Sequence, residues 1–161
     1  MPKHLKSISK TSKIHFSAFF RKYGALPYLL KWILITTVIG GLIGTASAGF
    51  LQSLNWVTNY RETHLWIIAL LPLAGLAIGL LYHYYGKEVA AGNNLLIDTI
   101  HEPKQTIPFK MMPFVYVGTI ITHLFGGSAG REGTALQMAG AIADQFSKPF
   151  KLTKEERRIL I

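Results

Sequence analysis

The sequence predicts an all-α integral membrane protein with tilted and broken transmembrane helices. Half of the 161 residues are hydrophobic, and the charged residues are segregated from long apolar runs. No Asp, Glu, Lys or Arg occurs from Trp32 to Tyr60 or from Thr63 to Gly86. A helix needs about 20 apolar residues to cross the hydrocarbon core of a bilayer, so each run is long enough to span it.

The net charge of +9 is concentrated at the amino end. Residues 1–31 contain no acid and the following bases: Lys3, Lys6, Lys10, Lys13, Arg21, Lys22 and Lys31. Such an excess before a first transmembrane helix holds that flank in the cytoplasm, where it can contact anionic lipid heads. We therefore predict a cytoplasmic or interfacial basic segment over 1–26 and a membrane domain over 27–161. A nucleic-acid-binding arm or a transit peptide explains this segment less well.

Two full spans are predicted, at about 28–58 and about 64–85, each with some length left for tilt. Pro72 predicts a kink in the second span, since proline removes a helical hydrogen bond. After it, a short helix is predicted to open at an Asn cap within residues 92–94, where the sequence reads Gly-Asn-Asn. This helix is too short to cross the membrane.

The apolar region between Lys110 and Lys148 is the most informative. As one helix it would measure ~55 Å, too long for a single span. Two full spans would need about 40 residues plus a turn, which is more than the region holds. Because both flanks are basic, we predict that the chain enters the membrane and returns as a broken helix pair over about 110–147. The break falls at the glycine-rich residues 126–133.

This glycine-rich turn is a candidate anion site. Irregular backbone at membrane depth persists only where it lines a cavity or is buried in protein. A helix is predicted over Thr134–Ala139, and its free amino-terminal N–H groups would point at the turn with about half a positive charge. A helix amino terminus behind flexible glycines attracts anions, and Arg131 adds positive potential.

Glu132 is the acid within this turn. The helix dipole and Arg131 favour its charged form, whereas removal from water favours the neutral form. Its carboxylate could therefore occupy the anion site, and protonation would release it, which would couple anion and proton movement. The alternatives are a structural Arg131–Glu132 ion pair and a turn that simply lies in water.

The residues at 126–134, Gly-Gly-Ser-Ala-Gly-Arg-Glu-Gly-Thr, resemble the GREG-type motif of the CLC family of anion channels and transporters. With Thr-His-Leu-Phe at 122–125 and Gln-Met at 137–138, the match is most similar to the bacterial fluoride branch, whose members are fluoride–proton antiporters. The resemblance covers about the first third of a fold built from two inverted halves. It implies that the chain is the truncated amino-terminal part of such a fold.

The resemblance also implies roles for particular residues. Glu132 would be the gating and proton-coupling carboxylate. Gly130, Arg131 and Gly133 would contribute to anion binding, the last two through their backbone amides. Asn93 would be the side chain near the central ion site. Chloride-type members have Gly-Ser-Gly-Ile-Pro there, and this chain has Gly-Asn-Asn-Leu-Leu, which favours a different anion.

The leading hypothesis is therefore fluoride–proton antiport in a bacterial cell membrane, by a multi-pass protein with a cytoplasmic amino terminus. The implied partners are fluoride or chloride, protons, the lipid bilayer and a second copy in a homodimer. Gly40 and Gly44, at GxxxG spacing, suit either an oligomer face or packing within the protein. The alternatives are a chloride transporter or channel, and a non-conducting membrane anchor or assembly protein.

No enzyme, cofactor, metal or nucleic-acid function is predicted. Ser128 in the turn has no His–Asp partner pattern. The chain has no cysteine, so thiolate metal ligands are excluded, and its histidines lie at no metal-binding spacing. His123 lies within a span, nine residues before Glu132, and a packed or interfacial role is favoured over a proton relay. Asp144 has no partner that the sequence identifies.

Overall fold

The computed structural model describes residues 26–102 and 106–161. The basic segment predicted over 1–26 therefore lies almost entirely outside the described residues. The chain divides into two compact units, Met1–Val38 and Ile39–Ile161. In the described part of the first unit the chain is helical, and the rings of Tyr28 and Trp32 meet edge to face with centroids 6.2 Å apart.

Helix α1 runs over Leu26–Thr63 and is apolar enough to cross a membrane. At 1.5 Å per residue its 38 residues measure about 57 Å, well beyond the ~30 Å hydrocarbon core, so it must tilt or project from the membrane. The two predicted spans left residues 59–63 between them as a short link, but in the structure these residues continue the helix. No glycine or proline interrupts these residues, and the Thr63 hydroxyl donates to the Tyr60 carbonyl 2.8 Å away.

The second apolar run begins as a 3₁₀ helix, Leu65–Leu70, and continues as α2, Leu71–Tyr85. Together they form the second segment that is long and apolar enough to span a membrane. Pro72 lies in the first turn of α2, where the 3₁₀ helix passes into the α-helix, and the kink expected there stays a prediction. Proline is tolerated there since its missing N–H would have no intrahelical partner.

A second 3₁₀ turn, Lys87–Val89, leads into the short helix α3, Asn93–His101. The predicted Asn cap is wrong. Gly92 occupies the N-cap position at φ 58° and ψ −128°, and no side chain caps the helix. Because that positive φ is strained for a residue with a Cβ, glycine takes the position and Asn93 becomes the first helical residue.

Helix α4 runs over Met111–Leu124 and α5 over Arg131–Gln145. With 14 and 15 residues, each measures about 21–23 Å, short of a full bilayer crossing. The helix expected over Thr134–Ala139 is confirmed, and it starts earlier and ends later. Its buried face joins α1, α3 and α4 in one core, whose members are Phe50, Leu54, Val89, Leu96, Ile107, Met111, Val115, Met138 and Ala141.

Asp144 near the end of α5 is fully buried, and the structure supplies the partners that the sequence did not reveal. Its Oδ1 accepts from Arg157 Nε at 2.6 Å, and its Oδ2 accepts from Arg157 Nη2 at 2.8 Å and from the Ile107 backbone N–H at 2.6 Å. Arg157 belongs to α6, Lys154–Leu160, which opens with a capping box between Thr153 and Glu156. One carboxylate therefore joins three segments of the chain.

Candidate functional site

The turn between α4 and α5 is shaped by two glycines. The N–H of Gly126 donates to the His123 carbonyl at 3.2 Å, and the N–H of Gly127 donates to the Thr122 carbonyl at 2.8 Å. This pair of bonds is the Schellman arrangement that closes a helix carboxyl end, and it requires the φ of 83° that Gly126 adopts. A Cβ on Gly127 would lie 2.7 Å from Thr122 Cγ2, so a larger residue does not fit there.

The next helix opens on the residues of the GREG-type motif. Gly130 is the N-cap of α5, with extended backbone and no side-chain cap. The first intrahelical bond runs from the Thr134 N–H to the Gly130 carbonyl at 3.2 Å. Arg131, Glu132 and Gly133 come before Thr134 in the chain, so their backbone N–H groups have no acceptor within the helix. Such groups, with the helix dipole behind them, can hold an anion.

The side chains of Arg131 and Glu132 are both exposed. Among the described residues, neither forms an ion pair or a side-chain hydrogen bond, so the structural Arg131–Glu132 pair weighed as an alternative is not formed. The carboxylate of Glu132 is therefore free to change position on the first turn of α5. Glu132 belongs to the same first turn as the unsatisfied N–H groups.

Asn93 lies against this turn. Its Nδ2 atom is 3.3 Å from the point where a Cβ on Gly133 would stand. The five candidate site residues thus fall on two neighbouring helix amino ends, four on the start of α5 and Asn93 on the start of α3. The proximity is possible because Gly133 has no side chain, and an alanine there would press on the Asn93 amide.

The α3–α5 contact continues along one face of α5. The Gln137 side chain lies 3.6 Å from the Cβ position of Gly92, and a Cβ on Gly140 would lie 2.7 Å from Leu96 Cδ2. Positions 133, 137 and 140 follow the i, i+4, i+7 spacing of one helical face. Sequence reasoning missed Gln137 and Gly140, although their spacing from Gly133 was a readable signal.

A cavity of about 250 Å³ lies between α2, α4 and α5, and we call it the polar cavity. It borders the glycine turn at Ala129. Its polar lining consists of Tyr82, Thr119, Thr122, Thr134 and Gln137. Sequence reasoning missed this cavity as well. Its signal was the recurrence of threonine on otherwise apolar helices, but the pattern does not tell which threonines share a space.

The histidines of the described segments occupy separate places. His123 Nδ1 lies 2.9 Å from the Thr119 carbonyl of its own helix, and its backbone carbonyl accepts from Arg61 at 2.7 Å. His64 stacks on Tyr60 with ring centroids 4.4 Å apart. Over residues 26–102 and 106–161, no three His, Asp or Glu side chains are grouped as a metal site would require.

Comparison with known proteins decides the family. Residues 74–161 match the family described as voltage gated chloride channel. The chain belongs to this family. The prediction of an all-α membrane fold of CLC type is confirmed, and two helices of suitable length and apolarity are present in the described part of the chain.

Two relatives of known name differ in their sequence identity to this chain. A chloride/fluoride channel protein of Pseudomonas syringae pv. tomato is 54% identical over 136 residues, which are 84% of this chain and 30% of the relative. The H(+)/Cl(-) exchange transporter ClcA of Klebsiella pneumoniae is 26% identical over 142 residues, 80% of this chain and 30% of that protein. Both are named as a channel or a transporter rather than as an enzyme.

The solved structures give the same family. The crystal structure of a CLC-type fluoride/proton antiporter superposes with a TM-score of 0.74 at 38% identity, covering 79% of this chain and 32% of the antiporter. The chain thus spans about a third of the length of the CLC proteins it matches.

Proposed function

We propose that this chain is the amino-terminal portion of a CLC fluoride–proton antiporter, with Glu132 as its gate. The observation that carries the proposal is the free Glu132 carboxylate on the same helical turn as three unsatisfied backbone N–H groups. An anion and this carboxylate compete for those N–H groups. When Glu132 takes up a proton its negative charge disappears, so the anion can replace it.

Asn93 completes the proposed anion site. Its amide can donate hydrogen bonds. Asn93 lies against Gly133, which belongs to the helical turn that carries Glu132. Fluoride is small and strongly hydrated, so it needs several closely placed donors to replace its water. The names of the two relatives with the higher identities, a chloride/fluoride channel protein and a fluoride/proton antiporter, support fluoride over chloride. The substitution of Gly-Asn-Asn for the Gly-Ser-Gly pattern of chloride members supports it too.

Anion selectivity is tested by transport in liposomes. The full-length protein should move fluoride faster than chloride by at least about tenfold, a difference of about 1.4 kcal/mol between the two transport barriers. Fluoride efflux should be accompanied by proton uptake. The measurement is a fluoride or chloride electrode together with an external pH electrode. Equal rates for the two anions would favour the chloride transporter, and no flux of either would favour the non-conducting anchor.

The proposal includes the orientation and assembly of the protein. The amino terminus lies in the cytoplasm because of its basic residues, and the protein forms a homodimer in a bacterial cell membrane. A thiol introduced by Lys10→Cys should resist a membrane-impermeant maleimide added to intact cells, and it should react after the cells are permeabilised. Efficient labelling from outside the cells would reverse the proposed topology.

A further inference from the structure

Arg61 connects the end of α1 to the end of α4. It lies in the last turn of α1, and its Nη1 donates to the His123 backbone carbonyl at 2.7 Å. The same carbonyl accepts the Gly126 N–H, which is one of the two bonds that close the glycine turn. A single oxygen atom therefore receives both a bond that shapes the turn and a bond that anchors it to another helix.

The charge of Arg61 suits this position. The carboxyl end of a helix carries about half a negative charge, so a cation is stabilised there. The Arg61 side chain is half-buried, and among residues 26–102 and 106–161 no carboxylate forms an ion pair with it. Within those residues, the partner of this cation is the negative end of α4.

Two apolar side chains contact the glycine turn from the same side as Arg61. Ile68 belongs to the 3₁₀ helix before α2, and its Cγ1 lies 3.1 Å from the point where a Cβ on Gly126 would stand. Leu71 is the first residue of α2, and its Cδ1 lies 3.2 Å from the corresponding point on Gly127. Residues 61–71 therefore hold the turn at the two glycines that shape it.

We propose that Arg61 is a positioning residue, which fixes the glycine turn and thereby the place of Glu132 at the anion site. This inference rests on the proposed function of Glu132 as the gate. The turn leads directly to Gly130, the N-cap of α5, so a shift at the end of α4 is passed to the first turn of α5.

The gate needs this support because it competes with an anion for the same N–H groups. A misplacement of about 1 Å can cost an active site roughly a hundredfold in rate. With the turn loosened, the Glu132 carboxylate no longer excludes the anion reliably. Fluoride then passes without the exchange of a proton, so the number of protons moved for each fluoride ion falls.

The proton-to-fluoride flux ratio of the full-length protein in liposomes tests this role. Arg61→Met removes the charge and the hydrogen bond but keeps an unbranched apolar stem, and it should lower the ratio several-fold. A general loss of folded protein would leave the ratio unchanged, because it reduces both fluxes equally. Arg61→Lys retains a cation and a donor, so it should keep the ratio near that of the wild type. A Lys variant as poorly coupled as Arg61→Met would overturn the proposal.

Arg158→Met is the matched control. Arg158 Nε also donates to a backbone carbonyl near a helix end, that of Ile100 in α3 at 2.8 Å, but α3 does not lead into the glycine turn. This variant should leave the flux ratio unchanged. If it lowers the ratio as much as Arg61→Met does, the effect is not specific to the turn and the proposal fails.

Ile68→Ala is a second test that leaves Arg61 in place. Ile68 is 42% exposed, so its truncation removes the contact with Gly126 at little risk to folding. It should lower the ratio in the same direction, and it decides the question if Arg61→Met does not fold. An unchanged ratio in Arg61→Met, or in Ile68→Ala where that variant decides, would overturn the proposal. A wild-type protein that moves fluoride without protons would instead overturn the proposed function.

Discussion

Replacing Glu132 by Gln should reduce proton uptake to the level of protein-free liposomes. Glutamine has nearly the shape of glutamic acid, but its side-chain amide does not take up or release a proton at physiological pH. The gate therefore stays permanently in its neutral form. Fluoride efflux should then either stop or become a passive leak independent of pH. The measurement is fluoride efflux and proton uptake from liposomes that contain the full-length variant.

This substitution removes the ionisable group without disturbing the packing around it. The Glu132 side chain is exposed and forms no ion pair or hydrogen bond among residues 26–102 and 106–161, so its replacement breaks no described contact. Glu155→Gln is the matched control, since Glu155 is an exposed acid in the first turn of α6. It should leave both fluxes unchanged. If Glu132→Gln retains wild-type coupling, Glu132 is not the gate.

The helices were largely predictable because membrane segments are constrained by length and composition. The charge-free runs identified the first two spans, and the glycines of residues 126–133 identified the break that the structure places between Leu124 and Arg131. The boundaries were less predictable. Residues 59–63 contain polar side chains that suggested a link, but they continue α1, because polar residues are also compatible with a helix.

The candidate site was predictable only within one stretch of sequence. Glu132 and its neighbours share one helical turn, so their proximity follows from the chain itself. The position of Asn93 against Gly133 and the gathering of Tyr82 with Thr119 and Gln137 depend on how separate helices pack. The spacing of apolar residues in the sequence indicates which face of each helix is buried. It does not indicate which neighbouring helix packs against that face.

The partner of Asp144 in the core was also not predictable from the sequence. A carboxylate in an apolar stretch signals a partner, and an opposite charge is the strongest candidate. The partner is Arg157, which reaches it from the short helix beyond a turn of the chain. The same carboxylate accepts the Ile107 N–H, while Gln145 Nε2 donates to the Ile107 carbonyl at 2.8 Å. This arrangement holds the chain just before α4 against the end of α5.

Breaking this pair should cause a large loss of stability. Asp144→Asn keeps the size of the side chain but removes the negative charge opposite Arg157, whose side chain is only 12% exposed. We expect the free energy of unfolding to fall by about 3–5 kcal/mol, since removing one member of a buried pair leaves the other charge uncompensated. The measurement is reversible unfolding of the full-length protein in mixed micelles. Glu155→Gln, which disrupts only an exposed pair with Arg158, should cost at most about 1 kcal/mol.

A double variant separates the buried charge from the other contacts of Asp144. Combining Asp144→Leu with Arg157→Met removes both charges, so most of the stability lost in Asp144→Asn should return. Recovery should be incomplete, because the Ile107 N–H loses its acceptor and an unsatisfied buried donor costs about 1–3 kcal/mol. If Asp144→Asn costs no more than Glu155→Gln, the ion pair does not stabilise this junction. If the double variant is less stable than Asp144→Asn, the packing around the pair matters more than its charge.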